Sequence, residues 1–350
     1  MTRVNNFDAM RILAASAVIF GHAHPLSQTP DMLLFSESVQ SVAVKIFFVI
    51  SGFLVAKSWR SDPDLFRFLM RRGLRLFPGL ALLVVLTAFI LGPIFTTLPL
   101  AEYFSAPATY GYIWNNLILR PAYALPGVFD ANPYPTAVNG SLWSLPIEFF
   151  MYMLLPVLAT LAAALRFRGA FALLAIAGVI SAFASLILIP AESQLVVWGS
   201  GSRSLTNVGP YFLIGALYAA KPMEASLHSG WALFLVAFAS LFQFGGYWTQ
   251  QFMMMLVLPY VTLTLCTAAT PGLSSAGRFG DPSYGIYLYG FPVQQALFSI
   301  FGAQMGVWQN TLMALPIVII LAYASWHILE KRMLSLKPSK GLVALKPIEG

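Results

Sequence analysis

Long apolar runs alternate with short polar segments along the whole 350-residue chain. A helix needs about 17–25 mainly apolar residues to cross the hydrocarbon core of a bilayer. Ten stretches of roughly this length occur, at residues 7–25, 39–57, 74–93, 142–164, 169–189, 205–220, 229–248, 251–269, 283–302 and 310–329. The pattern predicts an all-α, polytopic membrane helix bundle of about ten transmembrane helices.

Positive charges fall mainly on one side of the predicted spans. With the N-terminus in the cytoplasm, 16 of the 20 Lys and Arg residues lie inside, and only Arg120 and Arg203 lie in outer loops. Such an excess marks the cytoplasmic loops of membrane proteins. We therefore expect two cytoplasmic termini, a transmembrane domain over 1–332 with an outer loop over about 94–141, and a basic cytoplasmic tail over 333–350.

Composition supports this class and excludes several others. The chain is 58% hydrophobic and 9% charged, with a mean hydropathy of +0.75, whereas a soluble domain has about 25% charged residues. The net charge of +7 sits mostly in short loops, which argues against a nucleic-acid partner. The single Cys266 excludes an intrachain disulfide, and the four histidines lack metal-ligand spacing, so we expect no metal site.

The first predicted span carries polar residues on one face. Arg11 and His22 are 11 positions apart, which is about three helical turns or 16 Å, and Asp8 precedes Arg11 by one turn. A charged group in a membrane helix costs roughly 2.5–3.5 kcal/mol. We therefore predict a polar seam inside the bundle, and we expect residues 1–25 to be an uncleaved span rather than a signal peptide.

Two further polar residues, Lys45 and Glu148, lie near the predicted outer ends of their spans, as His22 does. By helical rise, His22, Lys45 and Glu148 lie within roughly 10 Å of one plane. We predict that they contact one another, either as a general-base site or as a purely structural cluster. The small pair at Ser51 and Gly52 indicates close helix approach, with a nucleophilic serine as the weaker alternative.

An arginine cluster marks the predicted inner end of the third span. Arg71, Arg72 and Arg75 supply guanidinium groups suited to phosphate oxygens, and a helix N-terminus would add a favourable dipole. Contact with lipid headgroups, or topological anchoring, explains the same charges equally well. The ninth span opens with tyrosines and contains Pro292, and such a break must line protein or a cavity.

Six motifs occur in an order that resembles the membrane acyltransferase-3 family. They are Asp-x-x-Arg at 8–11 followed by His22, Phe-Phe-Val-Ile-Ser-Gly-Phe at 47–53, Arg-Arg-Gly-Leu-Arg-Leu-Phe-Pro at 71–78, Trp-Ser-Leu-Pro-Ile-Glu at 143–148, Ser-Tyr-x-x-Tyr-Leu at 283–288, and Glu-Lys at 330–331. The resemblance covers nearly the whole chain. Family members often carry histidine where this chain has Gly290, so no role is carried over to that position.

The resemblance implies O-acylation of a carbohydrate or another hydroxyl, often acetylation from cytoplasmic acetyl-CoA. It makes His22 and Arg11 the essential pair of the first span, and it places Arg72 and Arg75 near the donor. Residues 289–295 look like the subset that modifies bacterial exopolysaccharide. Acyl-CoA is then a donor substrate rather than a resident cofactor. The other partners are membrane lipid and a saccharide or lipid-linked saccharide acceptor, and the location is the bacterial cytoplasmic (inner) membrane.

The predicted site residues fall into three groups. They are the catalytic residues His22, Arg11, Asp8 and Glu148, the acyl-CoA contacts Arg71, Arg72 and Arg75, and a substrate or structural polar cluster of Lys45, Ser51, Tyr284 and Tyr287. Two alternatives stay open. The same buried charges suit a transporter or exporter, and an acyltransferase could instead act on a small molecule or a lipid. The acyl group and the oligomeric state are not specified by the sequence.

Overall fold

The computed structural model describes residues 5–135, 137–167, 169–193 and 195–338. Within these residues the chain forms α-helices and two very short hairpins. The helices are α1 Phe7–Leu26, α2 Val39–Ser61, α3 Leu65–Leu86, α4 Gly92–Phe95, α5 Leu100–Ser105, α6 Pro107–Leu117, α7 Ser144–Leu165, α8 Ala170–Leu188, α9 Ser202–Tyr218, α10 Lys221–Ala225, α11 Ser229–Ser240, α12 Tyr247–Thr267, α13 Ser283–Phe301, α14 Val307–Ser325 and α15 Lys331–Ser335.

Shorter elements connect these helices. Strand β1 Leu33–Leu34 pairs with β2 Glu37–Ser38, and β3 Val196–Val197 pairs with β4 Ser200–Gly201, both antiparallel. Single-turn segments are the 3-10 helices Gly140–Trp143, Ala191–Ser193 and Leu273–Phe279 and the π-helices Thr87–Leu91 and Trp326–Glu330. The π turns join α3 to α4 and α14 to α15, so each pair forms one longer helical rod.

Six helical segments of the described chain are long and apolar enough to cross a membrane. They are Val39–Ser61, Leu65–Phe95, Gly140–Leu165, Ala170–Leu188, Tyr247–Thr267 and Val307–Ser335. The other four predicted spans coincide with α1, α9, α11 and α13, which are shorter or carry more polar residues. The predicted all-α membrane helix bundle is therefore confirmed, and the protein is a multi-pass membrane protein.

The third span begins earlier than predicted. Its helix starts at Leu65 rather than at 74, because the side chain of Asp64 accepts a 2.8 Å hydrogen bond from the backbone N–H of Arg67 and caps it. Arg71 and Arg72 therefore lie beyond the first turn, where the helix dipole has little effect. The predicted contribution of the helix N-terminus to phosphate binding was wrong.

The seventh span is shorter than the predicted 229–248. Helix α11 ends at Ser240 after 12 residues, which is about 18 Å. The apolar side chains of Phe242 and Phe244 continue through the following turn, up to Gly246. Hydropathy alone could not locate this helix end, because the turn is as apolar as the helix. The predicted tail over 333–350 lies largely outside the described residues.

The helices that hold the polar residues pack closely around α1. Helix α1 contacts α2, α13 and α14, and α2 packs along α9. A Cβ atom added at Gly52 would lie 2.0 Å from the carbonyl oxygen of Phe212, and one added at Gly215 would lie 2.2 Å from that of Val49. Only glycine permits this contact between backbones, so the close approach predicted at Gly52 is confirmed.

The predicted outer loop over 94–141 folds against the bundle. Its side chains Tyr103 and Tyr112 are almost fully buried, and the hydroxyl of Tyr103 donates to the carbonyl of Ala88 at 2.7 Å. Asn132 Nδ2 donates to Oε1 of Gln295 in α13 at 2.8 Å. The loop is thus a packed part of the structure, and its position is fixed by hydrogen bonds to the helices.

Candidate active site

A polar cavity of about 120 Å³ lies between α1, α2, α3, α7 and α13. Its polar lining consists of Arg11, Ser51, Arg72, Arg75, Ser144, Glu148, Tyr152, Ser283, Tyr284 and Tyr287. Seven of the eleven predicted site residues therefore meet around one space. Under the predicted orientation this space lies inside the bundle, between the first halves of α1, α3 and α13, which begin on the cytoplasmic side, and the start of α7, which begins on the outer side.

Glu148 belongs to a hydroxyl network at the wall of this cavity. It accepts a short hydrogen bond from the hydroxyl of Tyr152, one turn further along α7, and a 3.4 Å bond from Oγ of Ser51. The Ser51 and Tyr152 oxygens are 3.3 Å apart. A carboxylate held by two hydroxyls is fixed in place. Ser51 is therefore bound to a carboxylate, not to a histidine base that could activate it as a nucleophile.

Two arginines of the cavity share one aspartate. Arg75 donates to Oδ2 of Asp281 at 2.6 Å, and Arg11 lies 3.4 Å from the same oxygen while it binds Asp8 at 2.5 Å. Burial raises the pKa of Asp281, but the two guanidinium groups outweigh this effect and hold the pKa below its usual range. Asp281 thus ties α1 and α3 to the start of α13.

The other two predicted donor contacts differ from Arg75. Arg71 binds Asp62 at 2.7 Å, although its Nε and Nη2 atoms are buried without a hydrogen-bond partner among the described residues. Arg72 has no carboxylate within 4 Å in the described part of the chain, and its guanidinium lies 5.8 Å from the ring centre of Tyr152. Arg72 is therefore the cavity guanidinium that is free for an anionic ligand.

His22 lies outside the cavity, three turns further along α1 than Arg11. Its ring packs edge-on against Phe291 of α13 at 5.2 Å, and Phe291 in turn contacts Tyr134 of the predicted outer loop at 6.1 Å. The Nδ1 atom of His22 is buried and has no hydrogen-bond partner among residues 5–135, 137–167, 169–193 and 195–338. Arg11 and His22 therefore both face α13, as predicted for two residues on one face of α1. They lie at different depths along the helix.

Lys45 forms a separate buried ion pair. Its ammonium group is 3.0 Å from Oε1 of Glu37 and 3.4 Å from Oε1 of Gln251, and its side chain is fully buried. The predicted cluster of His22, Lys45 and Glu148 is thus not formed. Glu148 lines the cavity beside Arg11, about three turns of α1 away from His22, and Lys45 is turned toward Glu37, so counting residues from the predicted span ends did not bring the right side chains together.

We expect Lys45→Met to destabilise the protein by about 3–5 kcal/mol, because it leaves the carboxylate of Glu37 buried without its cation. Thermal and denaturant unfolding in detergent micelles measures the loss. The double variant Lys45→Met, Glu37→Leu is the control and should recover most of the stability, since it leaves neither charge unpaired. An unstable double variant would contradict this assignment.

The two predicted tyrosines of α13 bind backbone groups. The hydroxyl of Tyr284 donates to the carbonyl of Leu76 at 2.8 Å, and that of Tyr287 donates to the carbonyl of Ser141 at 2.7 Å. Both therefore join α13 to its neighbours while they line the cavity. Asp8 lies at the rim, paired with Arg11, and does not line the cavity.

Sequence reasoning missed two residues of this site. Tyr152 could have been found from its position four residues after Glu148, which places both on one face of α7. Asp281 precedes the first turn of α13, where a carboxylate often binds free N–H groups; it accepts from both the backbone and the hydroxyl of Ser283. Its pairing with arginines 206 or more residues away had no local signal.

Comparisons with known proteins agree with the geometry. A family model described as an acyltransferase domain, of the acyltransferase-3 type, matches residues 4–329. An O-acetyl transferase of Shigella phage Sf6 is 31% identical over 346 residues, which cover 96% of this chain and 97% of that protein. Nodulation protein 10 of Rhizobium leguminosarum bv. viciae is 27% identical over 359 residues and covers 96% and 94% of the two chains.

A third relative matches a shorter region. Acyltransferase MdmB of Streptomyces mycarofaciens is 30% identical over 165 residues, which cover 45% of this chain and 39% of that protein. No solved structure matches the chain. The family model and the phage relative both extend over almost the whole sequence, and the family match includes five of the six motifs described above, with Glu-Lys at 330–331 just beyond its end. The chain therefore belongs to the acyltransferase-3 family and is a multi-pass membrane O-acyltransferase.

Proposed function

We propose that the protein transfers an acetyl group from cytoplasmic acetyl-CoA to a hydroxyl of a carbohydrate, either an exopolysaccharide or its lipid-linked precursor, at the bacterial inner membrane. The observation that carries this proposal is the placement of Arg72. Among the described residues its guanidinium has no carboxylate partner, and it lies on the wall of an interior cavity that it shares with Arg11, from the helix that bears His22. In this arrangement Arg72 can bind an anionic donor at the cavity, and His22 can act as the base three turns further along α1.

The size of the cavity indicates which part of the donor it holds. A volume of about 120 Å³ is well below the roughly 300–1,000 Å³ of pockets that enclose a drug-sized ligand. The cavity therefore suits a short acyl group and the thioester end of the donor, with the nucleotide outside the bundle. Arg72 and the unpaired nitrogens of Arg71 are the groups that would bind its phosphates.

His22 is the proposed general base. A neutral imidazole can accept a proton, and Nδ1 of His22 has no bond to protein groups in the described chain. The imidazole takes the proton of the acceptor hydroxyl, and the hydroxyl oxygen attacks the thioester carbonyl. The C–O ester bond forms as the C–S bond breaks, and the thiolate of CoA leaves and takes up a proton.

The distance between the two sites sets a requirement for this mechanism. Arg11 and His22 are separated by 11 residues of helix, or about 16 Å along the axis of α1. The extended thioester arm of the donor has to cover this distance along the α1–α13 face. The Glu148 network supports the cavity from the opposite side, where the hydroxyls of Ser51 and Tyr152 fix the carboxylate.

The direct test uses purified full-length protein in lipid nanodiscs with acetyl-labelled acetyl-CoA and a saccharide acceptor. We expect label to appear in an alkali-labile ester on the saccharide, together with one equivalent of free CoA thiol. Mass analysis of surface polysaccharide from cells with and without the gene should show the loss of the same group. For the same protein reconstituted in sealed vesicles, movement of saccharide into the lumen without any labelled ester would contradict the proposal and support the transporter alternative.

A further inference from the structure

A second and larger concave space lies on the lipid-facing side of α7. It is a groove of about 640 Å³ between α3, α7, α9 and the β3–β4 hairpin. Its walls are almost entirely apolar and include Phe77, Pro146, Phe150, Met153 and Leu205. Phe150 and Met153 are about half exposed, which places the groove on the outer surface of the bundle, where lipid chains run.

Helix α7 separates this groove from the polar cavity. Ser144 and Glu148 line the cavity, whereas Pro146 and Phe150 line the groove on the other face of the same helix. The seam between α3 and α7 is closed by the rings of Phe77 and Phe149, which meet edge-on at 5.7 Å. A molecule in the groove therefore lies one helix away from the donor cavity.

The outer end of the groove has a rim that a hydrogen bond holds in place, and Arg120 lies beside it. Nε1 of Trp198, in the hairpin, donates to the carbonyl of Ile118 at 2.7 Å and ties the hairpin to the end of α6. Arg120 directly follows Leu119, which lines the groove, and a Cβ atom at Gly199 of the hairpin would lie 3.4 Å from its Cγ. Arg120 is exposed and has no carboxylate within 4 Å in the described chain.

The positive charge of Arg120 is unusual, because the predicted outer loops carry few Lys or Arg residues. Arg120 and Arg203 are the two Lys or Arg residues of the predicted outer loops, and Arg203 donates to the carbonyl of Ile189. From Pro146 to Met153 the groove follows α7 for about 10 Å. This is most of one leaflet, since the hydrocarbon core is about 30 Å thick.

We propose that the groove binds the hydrocarbon chain of a lipid-linked saccharide acceptor, with the phosphate of that lipid at Arg120. An apolar groove in one leaflet takes a hydrocarbon chain, and a free guanidinium at its mouth takes a phosphate. The inference rests on the proposed function, because it states how that function's acceptor is held. The bound lipid keeps the saccharide at the outer surface, beside the loop that contacts the His22 region.

The first test fills the groove. Met153→Trp places a larger side chain in the groove from a half-exposed position, so it does not overpack the core. We compare kcat/KM for a polyprenyl-phosphate-linked saccharide with kcat/KM for the same saccharide without its lipid. The expected result is a fall of at least about tenfold in this ratio, the usual size of steric discrimination in an apolar site. Arg120→Gln should lower the same ratio and reduce its dependence on salt.

The matched control is Leu161→Trp, on the same helix and 45% exposed, but outside the groove. It should leave the ratio at its wild-type value. If the ratio of the two kcat/KM values is unchanged in Met153→Trp and both acceptors are still acetylated, the groove is not the lipid site, although the proposed function stands. If wild-type protein acetylates neither acceptor, the proposed function fails and the groove assignment fails with it.

The second test identifies the occupant directly. A polyprenyl phosphate with a photoreactive group in its chain, added to protein in phosphatidylcholine nanodiscs, should label the α7 peptide that contains Pro146 to Met153. Unlabelled polyprenyl-phosphate-linked saccharide should remove the label, and Met153→Trp should reduce it. A photoreactive phosphatidylglycerol should label this peptide less well. If it labels the peptide equally well and the unlabelled saccharide does not compete, the groove holds ordinary bilayer lipid and the proposal is overturned.

Discussion

Replacing His22 with alanine is expected to lower acyl transfer by about 10²–10⁴-fold, the usual contribution of a general base. The imidazole is the base proposed to accept the hydroxyl proton, and its Nδ1 atom is free of protein hydrogen bonds in the described residues. The ring contributes little to folding beyond its contact with Phe291. The measurement is initial-rate transfer from labelled acetyl-CoA, with the amount of folded protein determined by size-exclusion chromatography.

His24 supplies the matched control for this prediction. It lies two residues further along α1, on a different face, and its Nδ1 atom is 3.3 Å from Oγ1 of Thr29. His24→Ala should retain most of the activity, because this side chain faces a loop residue rather than α13. A wild-type rate of acyl transfer in His22→Ala would contradict the proposed mechanism. Equal losses of activity in both variants would indicate a general effect on helix packing.

Arg72→Gln is expected to raise the KM for acetyl-CoA by about 10–100-fold with a smaller change in kcat. Hydrogen bonds to charged groups contribute roughly 1.5–3 kcal/mol each, and about 1.4 kcal/mol corresponds to a factor of ten. Arg72 has no carboxylate partner in the part of the chain that the structure describes, so the substitution breaks no ion pair. A rise in KM alone is the sign of a contact made equally in the ground and transition states.

Two other arginines of α3 separate this effect from general damage. Arg67→Gln removes a guanidinium that binds Asp62 at 2.6 Å near the start of the helix, and should leave the donor KM near its wild-type value. Arg75→Gln frees Asp281 from its 2.6 Å partner and should lower thermal stability as well as activity. Donor dependence that is unchanged in Arg72→Gln would favour the anchoring interpretation of the cluster.

Because His22 lies away from the cavity, the proposed mechanism requires the acyl group to reach His22 from the cavity. Arg11, Arg72, Arg75 and Glu148 line one cavity, whereas His22 lies about three turns away along α1, next to the outer loop. The proposed donor site at Arg72 and the proposed acceptor groove lie on two faces of α7. The packed outer loop is fixed to α13 through Asn132 and reaches Phe291, the ring that contacts His22.

The sequence by itself determined the membrane class and the helical architecture. Apolar length sets how many helices can span a bilayer, and the charge asymmetry of the loops predicts their orientation. Local spacing also placed Arg11 and His22 on one face of α1, because helical geometry follows from position in the chain. The ends of the helices were predicted less accurately. A cap moved the start of α3, and an apolar turn hid the end of α11, because neither feature changes the hydropathy.

The tertiary structure alone decided which charges are paired. Arg75 and Arg11 share Asp281, Lys45 binds Glu37, and Arg72 is left without a carboxylate among the described residues. The Arg75–Asp281 pair joins residues 206 positions apart. The spacing of residues along one helix can be read from a sequence, but the shift and the rotation of each helix relative to its neighbours depend on packing over the whole bundle. The free guanidinium and the lipid-facing groove both result from that packing.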